Sequence, residues 1–207
     1  MTTDWWHTFN RPVAAQSKRD LIRDTALRRF AEHGVGATSL RDVADTGKVS
    51  IGLIQHHFGT KEALVEAVDE YVLATLSEAL AGPIDQKFDD PVAQHGYRVM
   101  TLITTQPIIA DYVGRAIVEK RAFGSLVFDG LVASGQARWQ DRSEQQLTRG
   151  DIDLTWAALN PLILVLGTIV FRSHVDRHLP SPLTSTDEAN RWMEAVNTLL
   201  RDGLYER

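Results

Sequence analysis

The chain has 207 residues, 43% hydrophobic and 24% charged, the balance of an ordinary globular protein long enough for one large or two small cores. It has no cysteine, which excludes a disulfide framework, a Cys-based zinc site and thiol chemistry. The formal net charge of −5 argues against nucleic-acid binding until it is divided: residues 1–61 hold nine Lys and Arg against six acids, the remainder 13 against 21. A basic module on an acidic body is expected where one end alone meets phosphate.

Residues 1–16 read as an arm, with its likeliest break at Asn10-Arg11-Pro12. Arg11, Lys18 and Arg19 suit a DNA backbone or minor groove, or the arm is a tail without contacts. Trp5 and Trp6 either pack on the first helix, pack on a second subunit, or are incidental. The first residues lack the basic stretch and apolar run of a signal peptide, so a cytoplasmic location is expected.

Ser17 caps a helix reaching His33, with Ile22, Ala26 and Phe30 spaced at four and Gly34 as its stop. Thr38 or Ser39 caps the next helix, whose apolar stripe is Leu40, Val43 and Ala44 and whose end is Gly47-Lys48. Val49 plugs the turn, Ser50 caps a third helix, and Ile54 and Phe58 share one face of it, leaving the other free. Residues 17–61 therefore outline a helix-turn-helix. Its free face suits DNA: Gln55 can pair bidentately with adenine, Ile51 and Leu53 can meet thymine methyls, and Gly52 admits close backbone approach. His56, His57, Lys61, Arg41 and the hydroxyls of Thr38, Ser39 and Ser50 suit phosphates. An ordinary helical hairpin with its polar side in water fits the same pattern.

Thr60 caps a fourth helix, in which Leu64, Val68, Tyr71, Val72 and Thr75 recur at helical spacing. It leads from the module into a body of residues 62–207 and is the natural mechanical link. Beyond Gly82-Pro83, helices are expected at about Pro91–Thr105, Gln106–Lys120, Phe123–Leu147, Asp153–His174 and Thr186–Leu204, with Pro107 in a first turn. No strand pattern or repeat persists, so the fold class is all-α. The apolar run Trp156–Phe171 is interrupted by Asn160 and Pro161 and is shorter than the roughly 20 residues of a membrane span, so no membrane is expected.

Within the body, Pro161 frees a carbonyl near Ala157, and a kink there shapes a pocket or only improves packing. Tyr97, Met100, Thr104, Tyr112, Arg115, Phe128 and Trp156, with Asn160 beside the kink, form a candidate small-molecule lining. Arg115 and Glu119, four apart, either serve that site or pair on the surface. His174 and His178 with Asp176 have a spacing that could hold a metal, but the helix end before Leu179-Pro180 favours cations near a C-terminus; no metal and no cofactor are expected. Short catalytic signatures are missing, which favours a protein that is not an enzyme.

From about Ser17 to Val68 the chain resembles the N-terminal domain of the TetR (tetracycline-repressor) family of bacterial transcription regulators. The resemblance rests on Phe30-Ala31-Glu32-His33-Gly34, Ala37-Thr38-Ser39, Val43-Ala44, Val49-Ser50, Gly52, His57-Phe58 and Lys61-Glu62-Ala63-Leu64. Three positions depart from the family: Gln55 stands where it usually has tyrosine, Leu53 where it has a small or polar residue, and Lys48 where it has the turn glycine. The resemblance implies an N-terminal three-helix DNA-binding domain followed by a helical ligand-binding and dimerisation domain. It also implies a homodimer built through the last two helices, for which Leu159, Leu166, Val170, Trp192, Val196, Leu199 and Leu200 are the candidates. The expected partners are double-stranded operator DNA and an unidentified small-molecule effector that releases the repressor. An activator, a regulator answering to a protein, or a helical enzyme with a vestigial helix-turn-helix are the alternatives.

Overall fold

Ser17 accepts a hydrogen bond from the Asp20 backbone N–H at 3.1 Å, satisfying one of the donors left open where a helix begins, and so starts helix α1 (Lys18–His33). The computed structural model describes residues 17–81, 91–148 and 150–204. The arm of residues 1–16, with Trp5, Trp6 and Arg11, and the Gly82-Pro83 break lie outside the described residues. Ile22, Ala26 and Phe30 are buried on one face of α1, and Gly34 ends it at φ 87°, its N–H returning to the Phe30 carbonyl. Helices α2 (Leu40–Gly47) and α3 (Ile51–Phe58) pack against α1 and each other. Helix α4 (Lys61–Ala81) starts behind Thr60, whose hydroxyl accepts from the Ala63 N–H at 3.2 Å.

The chain forms two compact units, Met1–Val68 and Asp69–Arg207. The division falls inside α4 rather than after Lys61, the end of the predicted module. The first turns of α4 bury Leu64, Ala67 and Val68 and belong to the first unit, which a boundary drawn from motif spacing misses.

The second unit contains α5 (Pro91–Thr105), α6 (Pro107–Val118), α7 (Ala122–Glu144), α8 (Leu154–Val170), α9 (Arg172–Val175), a 3-10 turn at Asp176–His178 and α10 (Thr186–Leu204). Among the described residues there is no strand. Helix α7 packs on both α6 and α8, and α10 packs on α5 and α8. Met100, Ile103, Ala110 and Ala189 form the core between them, joined by Val165, Ile169 and Trp192. Small residues bring the helices close: a Cβ on Gly124 would overlap the Ala116 carbonyl and lie 2.6 Å from the Ile117 nitrogen, and one on Gly135 would stand 3.2 Å from the Ala158 Cβ.

The predicted single helix Asp153–His174 is two. Helix α8 passes through Pro161 without a break and ends at Val170, and the chain then bends by 71° into the segment Arg172–His178. Arg172 donates to Asp111 on α6 at 2.7 Å, which fixes the turned segment. Among the described residues no single helix is long and apolar enough to cross a membrane.

Candidate functional site

In the first unit, the turn between α2 and α3 is fixed at both ends. Ser39 and Asp42 form a reciprocal capping box: Ser39 Oγ accepts from the Asp42 N–H at 3.2 Å, and Asp42 Oδ2 accepts from the Ser39 N–H at 2.7 Å. The Ser39 side chain and backbone bonds hold the Asp42 carboxyl below its usual value. Lys48 closes α2 in the left-handed conformation at φ 52°, and the Val49 N–H then reaches back to the Ala44 carbonyl at 3.0 Å. A Cβ at Gly47 would stand 3.4 Å from Thr25 Oγ1 on α1, an ordinary van der Waals contact, so packing alone does not require glycine there. Ser50 caps α3 by accepting from the Leu53 N–H at 3.1 Å, and Ile54 and Phe58 anchor the helix inward, each buried side chain contributing about 1.5–3 kcal/mol.

That anchoring leaves Gly52, Gln55 and His56 exposed on the outer face of α3, with Ile51, Leu53 and His57 half-buried beside them. Ser39, Arg41 and Ser50 are exposed and Lys61 is half-buried. A Cβ on Gly52 would meet only Ser50 Oγ, at 3.9 Å, so nothing within this chain requires glycine there. Thr38 is a correction: it is buried, and its hydroxyl donates to the Gly34 carbonyl at 2.9 Å, so it holds the approach to α2 and cannot reach phosphate. The Ser39 hydroxyl is engaged as well, donating to Asp42 Oδ2 at 2.7 Å. Sequence reasoning used Lys48 only as a helix end, yet its exposed side chain sits at the turn between the two helices and joins the cationic candidates.

In the second unit, a cavity of about 200 Å³ opens between α5, α6, α7, α8, α10 and the distal turns of α4. Leu76, Leu80, Val99, Ile103, Val113, Leu131, Trp139, Pro161, Leu162, Leu166, Ile169 and Met193 contribute to its apolar walls. The polar lining is His95, Arg138, Arg142 and Asn197, with no Asp or Glu. Arg138 donates to the Ser134 hydroxyl at 2.7 Å and approaches His95 Nε2 at 3.5 Å, the long limit of a hydrogen bond. Burial first, then the charges of Arg138 and Arg98, push His95 down to about 4, so the imidazole is neutral at pH 7 and its Nε2 accepts. Partial burial and the neighbouring Arg142 also lower Arg138, although the residue as a whole is exposed.

None of the eight predicted ligand residues lines this cavity. Tyr97, Trp156 and Asn160 are exposed, Met100 belongs to the core, and Thr104 and Phe128 are half-buried away from the lining. Thr104 bonds back to the Met100 carbonyl at 2.9 Å, and Arg115 pairs with Glu119 at 3.3 Å. Pro161, read as a possible pocket-shaper, does line it. Among the dimer candidates, Leu166, Trp192, Val196 and Leu200 also line the cavity, whereas Val170 and Leu199 are exposed and Leu159 is half-buried. The trio near residue 176 is occupied by the turn: His174 Nδ1 takes a bond from Arg177 at 2.7 Å and Asp176 accepts from the Leu183 N–H at 2.8 Å. Among the described residues no group of three or more His, Asp or Glu is placed to hold a metal ion.

Tyr112 has a different task. Its hydroxyl donates to Asp69 Oδ1 at 2.5 Å and accepts from Arg121 Nη1 at 2.8 Å, while Arg121 Nη2 donates to Asp69 Oδ2 at 2.9 Å. Burial, then the bond to Asp69, drives the Tyr112 phenol upward, so it stays a donor. The three side chains tie Asp69 of α4 to α6 and to the start of α7. Nothing in spacing could reveal this, because the partners are separated by 43 and 52 positions.

Residues 22–68 match the family model for bacterial regulatory proteins of the tetR family. The chain is 40% identical over 83 residues to the HTH-type transcriptional repressor Rv3405c of Mycobacterium tuberculosis, covering 38% of this chain and 44% of that one. The chain thus spans less than half the length of the curated relatives it matches. Over nearly its whole length it shares a fold with the ketosteroid transcriptional regulator KstR2 of Mycobacterium tuberculosis, at TM-score 0.68 and 17% identity, covering 92% of this chain and 96% of that one. It shares it also with AibR, solved in complex with isovaleryl coenzyme A and operator DNA, at TM-score 0.67 and 18% identity over 88% and 97% of the two chains. Residues 22–68 thus match the helix-turn-helix domain of the tetR family of bacterial regulatory proteins, and the chain as a whole shares the fold of KstR2 and AibR.

Proposed function

We propose that this protein is a sequence-specific DNA-binding regulator, a repressor that leaves a palindromic operator when a small molecule fills the cavity of its second unit. The outer face of α3 carries the reading: an anchored helix presents Gln55, His56 and Gly52 outward, with hydroxyl and cationic side chains around them. Such a regulator works where the chromosome is, in the cytoplasm. AibR has the same fold and was solved with both an acyl coenzyme A and operator DNA, which supports placing both tasks in this chain.

Two recognition helices must sit about 34–36 Å apart to read successive major grooves, so the working form is a homodimer. Its face is the exposed apolar set of Trp156, Ile163 and Val170 along α8, with Phe171 and Leu199. Trp192, Val196 and Leu200, also predicted for that face, line the cavity as well. A ligand with no preference between two arrangements of the dimer shifts nothing. Control therefore requires that cavity filling favour one setting of α4, and the Asp69–Tyr112–Arg121 cluster is the grip through which it would do so.

Selection of duplexes from a random pool by the purified full-length protein tests the reading. An enriched inverted repeat is the expected result. Absence of enrichment by protein stripped of bound small molecules would refute it.

A further inference from the structure

The two cations of the cavity lining are each accommodated without a ligand. Arg138 is exposed, so it stands where the cavity opens to water, and it donates to the Ser134 hydroxyl at 2.7 Å. The Arg142 guanidinium lies over the Trp139 ring, 5.9 Å from its centre. His95, half-buried and held at about 4, is uncharged at pH 7, and Asn197 carries a neutral amide. The rest of the lining is apolar side chains, with the Trp139 and Trp192 rings and two glycines among them.

We infer that this cavity takes a compact, uncharged, largely hydrocarbon molecule of about eight or nine non-hydrogen atoms. This deepens the reading of the cavity as the effector site and rests on it. A ligand carrying a positive charge would find no Asp or Glu in the described lining. One carrying a negative charge would meet its counter-charges in water at Arg138, where an ion pair gains little, and at Arg142, already set on the Trp139 face. Either ion would lose its hydration against hydrocarbon walls, which a neutral molecule does not. The size follows from the volume: an apolar cavity of about 150 Å³ stays dry and takes benzene, about 25 Å³ for each ring carbon. On that scale the cavity of about 200 Å³ has room for a ring bearing two or three further atoms.

Isothermal titration of the purified full-length protein tests this with isosteric pairs, ethylbenzene beside benzylammonium and isopropylbenzene beside benzoate. Each hydrocarbon should bind about tenfold or more tighter than its ion. Diphenylmethanol, neutral but far larger, should bind more weakly than either hydrocarbon. Leu131→Trp on α7 and Leu162→Trp on α8 fill the cavity from two different walls. Whichever variant keeps a cooperative thermal transition should lose ethylbenzene affinity by about tenfold or more. An ion bound as tightly as its hydrocarbon, tighter binding of diphenylmethanol, unchanged ethylbenzene affinity in a folded variant, or no binding by either hydrocarbon would overturn the inference. Release of labelled operator is measured alongside. Preferential binding of the hydrocarbons without release would uphold the ligand class and refute the effector role; release by the ions as readily as by the hydrocarbons would do the reverse.

Discussion

Gly52→Ala separates what the fold needs from what a partner needs. On the outer face of α3, the new methyl would meet one atom, Ser50 Oγ, at 3.9 Å, an ordinary van der Waals contact, and the backbone there is helical. No strain opposes the change, so the remaining effect on stability is helix propensity, which favours alanine by about 0.5–1 kcal/mol, with the lower end expected this close to a helix start. In a major groove the same methyl projects toward the duplex, and operator affinity should fall by about tenfold or more, which is about 1.4 kcal/mol. Gly130→Ala on α7 is the matched control, since a Cβ there also meets nothing within 4 Å. Urea denaturation should show both variants at least as stable as the parent. Anisotropy of a labelled operator should then show the loss for Gly52→Ala alone. A stable Gly52→Ala protein with unchanged affinity would refute the assignment of this face to DNA.

Gln55→Ala should relax preference at one base position by about 1–3 kcal/mol, while Lys61→Ala should weaken all sequences alike and reduce the salt slope by about 1; sequence-blind losses from both would reject the contact assignment. Ile163→Asp puts a charge on the exposed apolar row of α8 and should give monomers in sedimentation, with helicity retained. Lys48→Gly relieves a left-handed backbone and should raise stability by about 0.5–1 kcal/mol in denaturant titration, with a drop in operator affinity where the ammonium meets phosphate. His95, held at about 4 against its ordinary 6.5, is neutral in both folded and unfolded chains above pH 6.5. Below that the unfolded chain takes the proton first, so stability falls as pH drops from 6.5 through about 4, by roughly 3 kcal/mol in all. His95→Gln should flatten that slope.

The first unit was legible because its information is local. The serine caps at Ser17, Ser39 and Ser50, the Ile54–Phe58 anchor and the Gly34 stop all work within one or two turns of helix, and each is in place. Thr38 misled because a hydroxyl before a helix suits a phosphate or a carbonyl equally, and only burial against the Gly34 carbonyl decides between them. The second unit was legible as helices and not as a site. Aromatic content pointed to Tyr97, Tyr112 and Trp156, yet the cavity is walled mostly by aliphatic residues from several helices, its aromatic lining is Trp139 and Trp192, and its polar lining joins positions as distant as His95 and Arg138. Apolar periodicity on α10 does not say which neighbours a stripe meets, and Trp192, Val196 and Leu200 line the cavity, which spacing alone did not show. The bend after Val170 has no glycine or proline to announce it; the Arg172–Asp111 pair holds it from afar.

Where Ala116 and Gly124 touch main chain to main chain, α6 and α7 have no slack between them. Tyr112 rides on one arm of this hairpin and Arg121 on the other, and both hold the same carboxylate. The spacing of the two donors on Asp69 is therefore set by a main-chain contact, with no side chain between the helices to change it, and a Cβ at position 124 would push the two arms of the hairpin apart and loosen both bonds together.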